Sequence, residues 1–133
     1  MRVLIVEDEF SGRKVLERFL REHGRCEVVI DGQEAVDSFK MAWEEGDPYD
    51  LVLLDIMMPN VDGQEALQRI RGFEKEKGIV GFGESKVIMV TALDDPKNVV
   101  QAFYDGGANS YLVKPVQKEQ LDEELKNLGL LPR

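Results

Sequence analysis

The sequence predicts an α/β domain in which five consecutive βα units build a parallel sheet with helices wound on both faces. Three observations carry that reading. Short, uniformly apolar runs, Val3 to Val6, Leu51 to Leu54 and Val87 to Val90, are too brief and too apolar for amphipathic helices and suit strands covered on both faces. Longer stretches between them place apolar residues at helical spacing. The apolar runs also end in polar residues, Glu7-Asp8, Asp55 and Thr91, at the strand-to-loop boundary where a parallel sheet binds its ligands.

Each element follows in order. After Val3 to Val6, the segment from about Ser11 to His23 repeats Val15, Leu16, Phe19 and Leu20 at helical spacing, with Gly24 as its C-cap. Cys26 to Ile30 carries Glu27, as an edge strand tolerates, and Asp31 to Glu34 offers a capping box. The next helix sets Ala35, Val36, Phe39, Ala42 and Trp43 on one stripe and stops near Gly46-Asp47-Pro48. The strand Leu51 to Leu54 delivers Asp55 to its end, and Pro59 with the Asn60 to Gly63 cluster turns the chain. Asp62 and Glu65 form a second capping box for a helix bearing Ala66, Leu67, Ile70 and Phe73. The connection Glu74 to Ser85, with Ile79, Val80 and Phe82 among its glycines, is expected to fold back on the domain, with a partner-binding loop as the alternative. Val87 to Val90 ends at Thr91. Asp94-Asp95-Pro96 starts a helix that Gly106-Gly107 closes. Tyr111 to Val113 is the last strand, ended by Lys114-Pro115, and Glu119 to Leu128 the last helix. Right-handed crossovers favour strand order 2-1-3-4-5, which puts the switch point between the first and third strands and brings Glu7, Asp8 and Asp55 together there.

With 133 residues, 43% hydrophobic and 32% charged, residues 1–133 make one compact domain with its own core. Seventeen Lys and Arg against 26 Asp and Glu give a net charge of -9. That balance disfavours nucleic-acid backbones and anionic membranes and suits protein partners. The strand-like RVLIVE directly after Met1 has no signal-peptide pattern and no apolar run approaches membrane-spanning length, so a cytoplasmic location is expected. Cys26, alone, cannot make an internal disulfide and reads as a small core residue.

Glu7, Asp8, Asp55, Thr91 and Lys114 thus converge on one sheet edge. Singly, each has an ordinary structural explanation as a cap, a strand former or a solvated lysine. Jointly they do not, because two carboxylates ~4 Å apart repel by about 4 kcal/mol at an effective dielectric near 20 and a cluster of three needs cations. Lys114 supplies one. A hard, oxygen-bound divalent ion such as Mg²⁺ supplies the rest. A carboxylate nucleophile, Mg²⁺, a lysine and a hydroxyl are the parts that make an aspartyl phosphate.

Through VLIVEDE, LVLLDIMMPNVDG, VIMVTA and YLVKP, in that order, the chain resembles the receiver domain of two-component response regulators, the CheY-like branch of the flavodoxin-like fold. The resemblance implies that Asp55 is the phosphoacceptor, that Asp8 binds Mg²⁺ directly and Glu7 through water, and that the Met57 backbone carbonyl completes the protein's share of the shell. It further implies that Thr91 hydrogen-bonds the phosphoryl group, that Lys114 pairs with it across a cis Lys114-Pro115 bond, and that Tyr111 is the switch aromatic. Met57 and Leu93 would flank the path of hydrolytic water and make the phosphorylated state long-lived. Glu7-Asp8 stands where many members carry two Asp. The implied partners are a sensor histidine kinase or phosphotransfer protein and an unidentified downstream protein, with no nucleic acid and no membrane. No effector domain follows Leu128, so output through another protein is expected unless the chain is a fragment. The switch would act on the surface of the fourth helix, fifth strand and fifth helix, in an interaction module and not a metabolic enzyme.

Two other classes compete. A phosphatase working through an aspartyl phosphate would want a second acid two residues after Asp55, where Met57 stands. An FMN carrier would want a Ser/Thr/Gly-rich phosphate loop after the first strand, where Glu7-Asp8-Glu9 would repel the phosphate.

Overall fold

A computed structural model of the chain describes residues 1–58, 61–92 and 96–132, apart from the side chains of Tyr104 and Asp105. Its elements alternate as expected: β1 (Arg2–Val6), α1 (Phe10–Leu20), β2 (Arg25–Val29), α2 (Gly32–Glu44), β3 (Leu51–Asp55), α3 (Gly63–Glu76), β4 (Lys86–Thr91), α4 (Pro96–Gln101), β5 (Ser110–Val113) and α5 (Lys118–Asn127). The five strands pair in parallel in the order β2-β1-β3-β4-β5. Leu51 to Leu54 are fully buried, as a central strand between two helical layers requires, and each such side chain contributes about 1.5–3 kcal/mol of burial free energy.

The core divides by sheet face. Val3, Ile5, Leu53 and Ile88 pack under α1 and α5 with Leu16, Leu20, Leu121 and Leu125. Leu4, Val52, Leu54 and Met89 pack under α2 and α3 with Phe39, Ala42, Leu67 and Ile70. The alternation of β1 and β3 residues between the two clusters is the period-2 direction of strand side chains. Asp31 and Asp62 cap α2 and α3, accepting the backbone N–H of Glu34 at 2.8 Å and of Glu65 at 2.9 Å. Caps of this kind contribute about 1 kcal/mol each.

Three local expectations are corrected. The first helix ends a turn early, at Leu20, with Arg21 as its C-cap in right-handed helical conformation. Gly24 is no cap: a Cβ there would collide with the Met1 carbonyl oxygen, which accepts the Arg25 N–H at 2.9 Å. The connection after α3 folds back only at its ends, where Glu74 and Ser85 are buried, while Val80 and Phe82 are exposed. The helix after β4 changes to a π-helical turn over Ala102–Gly106 before Gly107 closes it in the left-handed region at φ 77. The expected turn at Pro59-Asn60 and helix start at Asp94-Asp95 lie outside the described residues.

Candidate functional site

The parallel register assembles the site. Pairing of Val6 with Leu54 brings Glu7 alongside Asp55, pairing of Asp55 with Val90 sets Thr91 next along the edge, and pairing of Thr91 with Val113 places Lys114 just beyond. The Lys114 backbone N–H closes this edge on the Thr91 carbonyl at 2.8 Å. The Lys114-Pro115 bond is cis, in line with the resemblance.

Lys114 Nζ lies 2.8 Å from Glu7 Oε1 and 3.1 Å from Asp55 Oδ2. Glu7 is 1% exposed and Asp55 5% exposed, whereas Asp8 stands at the surface. The carboxylate oxygens of Glu7, Asp8 and Asp55 all come within 4.8 Å of one another. Burial, together with the hydrogen-bonded contact to Asp55, pushes the Glu7 carboxyl above its ordinary range, and Lys114 offsets only part of this. For Lys114, burial pulls the ammonium down, but its bonds to Glu7 and Asp55 outweigh burial and raise its pKa. Asp55 Oδ1 also accepts the Met57 N–H at 3.1 Å, so each carboxylate oxygen of Asp55 has a donor.

Two of three clustered carboxylates, Glu7 and Asp55, therefore share one ammonium, and Asp8 stands beside them at the surface. The donor set is all oxygen, clustered, partly open to solvent through Asp8 and short of positive charge, and such a set fits a hard divalent cation such as Mg²⁺. A cavity of about 380 Å³ opens beside the acids between α1 and the segment after β5, lined by Glu7, Gly12, Leu16, Val90, Lys114 and Pro115.

Of the sequence-predicted residues, Glu7, Asp8, Asp55 and Lys114 come together directly. Thr91 is 3% exposed at the same edge, its hydroxyl donating to the Ala92 carbonyl at 3.3 Å. Met57 is 67% exposed beside Asp55. Tyr111 sits apart on β5, 44% exposed, its ring edge-to-face with Phe103 at 5.8 Å. Leu93, expected beside the water path, lies outside the described residues.

Sequence reasoning missed Gly63 and Arg13. Gly63 begins α3 against Asp55: its N–H donates to the Ile56 carbonyl at 3.0 Å, and a Cβ there would collide with the Asp55 carbonyl oxygen. Only glycine lets α3 start that close to the strand end. Arg13 Nη1 donates to the Asp8 carbonyl at 3.0 Å and lies 3.4 Å from the Glu7 carbonyl. A helical arginine five residues beyond an acid carries no sequence signal for such a role.

The sequence model of the response regulator receiver domain matches residues 3–126. The two-component response regulator ORR41 of Oryza sativa subsp. japonica is 36% identical over 91% of this chain and 88% of its own. Among solved structures, the Saccharomyces cerevisiae receiver domain of Ssk1, co-crystallised with the histidine phosphotransfer protein Ypd1, is 31% identical. It superimposes with TM-score 0.82 and covers 99% of this chain and 92% of its own. The receiver domain of the Pseudomonas aeruginosa sensor histidine kinase PA1611, with a magnesium ion in its active-site cleft, is 32% identical. Its TM-score is 0.73, with coverage of 95% and 94%. Other curated relatives are much longer: the chain spans 9% of a yeast osmosensing histidine kinase and about half of a bacterial transcriptional regulator. With the acidic cluster at the switch point of a 2-1-3-4-5 sheet and a profile match over nearly its whole length, the chain belongs to the response regulator receiver domain family.

Proposed function

We propose that this receiver accepts a phosphoryl group on Asp55, in a Mg²⁺-dependent reaction, from phosphohistidine on a sensor kinase or phosphotransfer protein, and thereby switches a protein-interaction surface. The observation that carries this reading is the buried Asp55 carboxylate held beside Glu7 and Asp8 with Lys114 Nζ 3.1 Å away. The co-crystal of the yeast relative with a histidine phosphotransfer protein supports the choice of donor.

The parts divide the work. An Asp55 carboxylate oxygen forms the new bond to phosphorus while the bond to the histidine nitrogen breaks, and the electron pair stays on the imidazole. Lys114 pairs with phosphoryl oxygens, which costs little because its charge is already held in place. Glu7, Asp8, Asp55 and the Met57 carbonyl would hold the Mg²⁺, which when bound neutralises charge on the transferring group. Phosphoryl transfer asks chiefly for positioning and charge neutralisation, and the chain needs no general base to activate Asp55.

Transfer places roughly one and a half to two negative charges at Asp55. The Thr91 hydroxyl, bonded only weakly to a neighbouring carbonyl, then has a stronger acceptor. Its shift makes room for Tyr111, now outward against Phe103, to turn in, and the face of α4, β5 and α5 changes population. Couplings of this kind are typically ~1–3 kcal/mol. Output then runs through a downstream protein in the cytoplasm. A phosphatase reading finds no second acid at Met57, whose side chain points to solvent.

The test is labelling by acetyl phosphate with and without Mg²⁺, mapped by mass spectrometry. One phosphoryl group on Asp55, only with Mg²⁺, and none in Asp55→Asn is the expected outcome. Labelling of Asp55→Asn at the wild-type level, or sustained turnover of phosphate monoesters, would overturn the reading. Thr91→Ala should still accept phosphate yet lose most of the amide shift changes that beryllofluoride induces from Lys97 to Leu125. Undiminished changes would remove Thr91 from the switch.

A further inference from the structure

Resting on that reading, we propose that the first turn of α1 is the template for the metal-holding acids. Gly12 leaves the space in which the Glu7 carboxylate lies, and Arg13 ties down the peptide carbonyls of Glu7 and Asp8. Two residues that touch neither metal nor phosphate thus set the divalent-cation affinity of the site.

The Glu7 carboxylate is hemmed in. Oε1 meets Lys114 Nζ at 2.8 Å, Oε2 takes the Glu9 N–H at 3.5 Å, and the side chain is buried. A Cβ built on Gly12 would lie 2.8 Å from Oε1 and 3.2 Å from both Cγ and Cδ of Glu7. Glycine is disfavoured at the third residue of a helix relative to alanine, so its presence there suits a close neighbour better than it suits α1 itself. Adding the methyl would drive the Glu7 carboxylate off Lys114 or towards Asp55, and either movement spoils the cluster.

Arg13 acts on the backbone. Its Nη1 reaches both carbonyls of the loop that carries the acids, at 3.0 Å and 3.4 Å, and its guanidinium rests over the Phe10 ring at 5.5 Å. Its own N–H donates to the Glu9 carbonyl at 3.0 Å. One guanidinium nitrogen bridges the two neighbouring carbonyls while the rest of the planar group lies over a ring, and a lysine ammonium, a compact and strongly hydrated point charge, matches that combination poorly. Because Mg²⁺ demands near-octahedral ligands, holding Glu7 and Asp8 in place beforehand removes ordering cost from binding.

Mg²⁺ dissociation constants, measured by calorimetry and by displacement of Mn²⁺ in electron paramagnetic resonance, test the proposal. The proteins are wild type, Gly12→Ala, Glu7→Asp, the double variant, Arg13→Ala and Arg13→Lys. Urea unfolding followed through Trp43, on α2 and remote from the acids, reports folding separately. Gly12→Ala should fold as stably as wild type yet bind Mg²⁺ about tenfold more weakly, the scale of losses from groups supporting a ligand. In the Glu7→Asp background, whose acid is one methylene shorter, the same substitution should change affinity by less than about twofold. Arg13→Ala should lose about tenfold and Arg13→Lys should recover only a small part.

Wild-type affinity in Gly12→Ala, equal losses from that substitution in the wild-type and Glu7→Asp backgrounds, or loss of the fold on adding the methyl would overturn the role of Gly12. Wild-type affinity in Arg13→Ala would overturn that of Arg13. A wild-type protein that binds no Mg²⁺ would overturn the receiver chemistry itself.

Discussion

At the N-terminal edge of the sheet, Arg71 donates to Glu74 Oε1 at 2.7 Å, the Ser85 carbonyl at 2.8 Å, Asn109 Oδ1 at 2.8 Å and the Gly107 carbonyl at 3.1 Å. Glu74 Oε2 takes the Ser85 N–H at 2.8 Å. Nearby, Arg2 Nε meets Glu27 Oε1 at 2.6 Å, and Glu27 Oε2 accepts the Tyr49 hydroxyl at 2.8 Å. At the C-terminal edge, Glu7 and Asp55 share the ammonium of Lys114, and Asp8 adds a third carboxylate to the same cluster. The two edges push carboxylates in opposite directions. The hydrogen bond from Arg2 holds Glu27 below the ordinary carboxylate range, while burial and Asp55 push Glu7 above it. One sheet thus carries a matched set of charges at its N-terminal edge and a mismatched set at the switch point, where a parallel sheet binds its ligands. The mismatch is the part that calls for a cation and an incoming group.

The contrast breaks most easily at Arg71. Arg71→Ala strands a Glu74 side chain that is 2% exposed, so unfolding free energy should fall by about 3 kcal/mol, and Mg²⁺ should not restore it. Urea unfolding with and without Mg²⁺ measures this, and a loss below about 1 kcal/mol would mean the edge is not held by that pair. Asp55→Asn should do the reverse. The amide keeps the shape and removes one of three crowded charges, so stability without Mg²⁺ should hold or rise by about 1 kcal/mol. A marked fall would show that Asp55 is structural.

The smallest effect is at Glu27. Its folded pKa is depressed, so its contribution is present at neutral pH and fades as pH falls through the depressed value. Glu27 is 41% exposed, and solvent screening limits the contribution to about 0.5 kcal/mol. The stability gap between wild type and Glu27→Gln should therefore shrink between about pH 7 and about pH 3. A gap that widens with acid would contradict the sign.

Much of this was legible in the residues. Uniform apolar runs located β1, β3 and β4, the polar residues that end them located Glu7, Asp55 and Thr91, and the end of the fifth strand located Lys114, because a parallel sheet sends all its strand ends to one edge. Roles made by tertiary contact were not legible. Gly12 and Gly63 look like conformational choices until the Glu7 carboxylate and the Asp55 carbonyl are seen against them. Arg71 binds backbone carbonyls and an asparagine 38 residues away, and no periodicity encodes that. Gly24 imitates a helix cap because a cap and a close approach to Met1 select the same residue. Apolar character alone turns Val80 and Phe82 inward, but the short helical turn Gly81–Gly83 holds them in solvent.

The claim that charge is mismatched at one edge alone is tested most directly by titrating ¹⁵N-labelled protein with Mg²⁺ and mapping amide shifts along the chain. The account predicts saturable changes at Glu7 to Glu9, Asp55 to Met57, Thr91 and Lys114, and none at Arg71, Glu74, Ser85 or Asn109. Shifts at the Arg71 edge, or a chain indifferent to Mg²⁺ at Asp55, would contradict it.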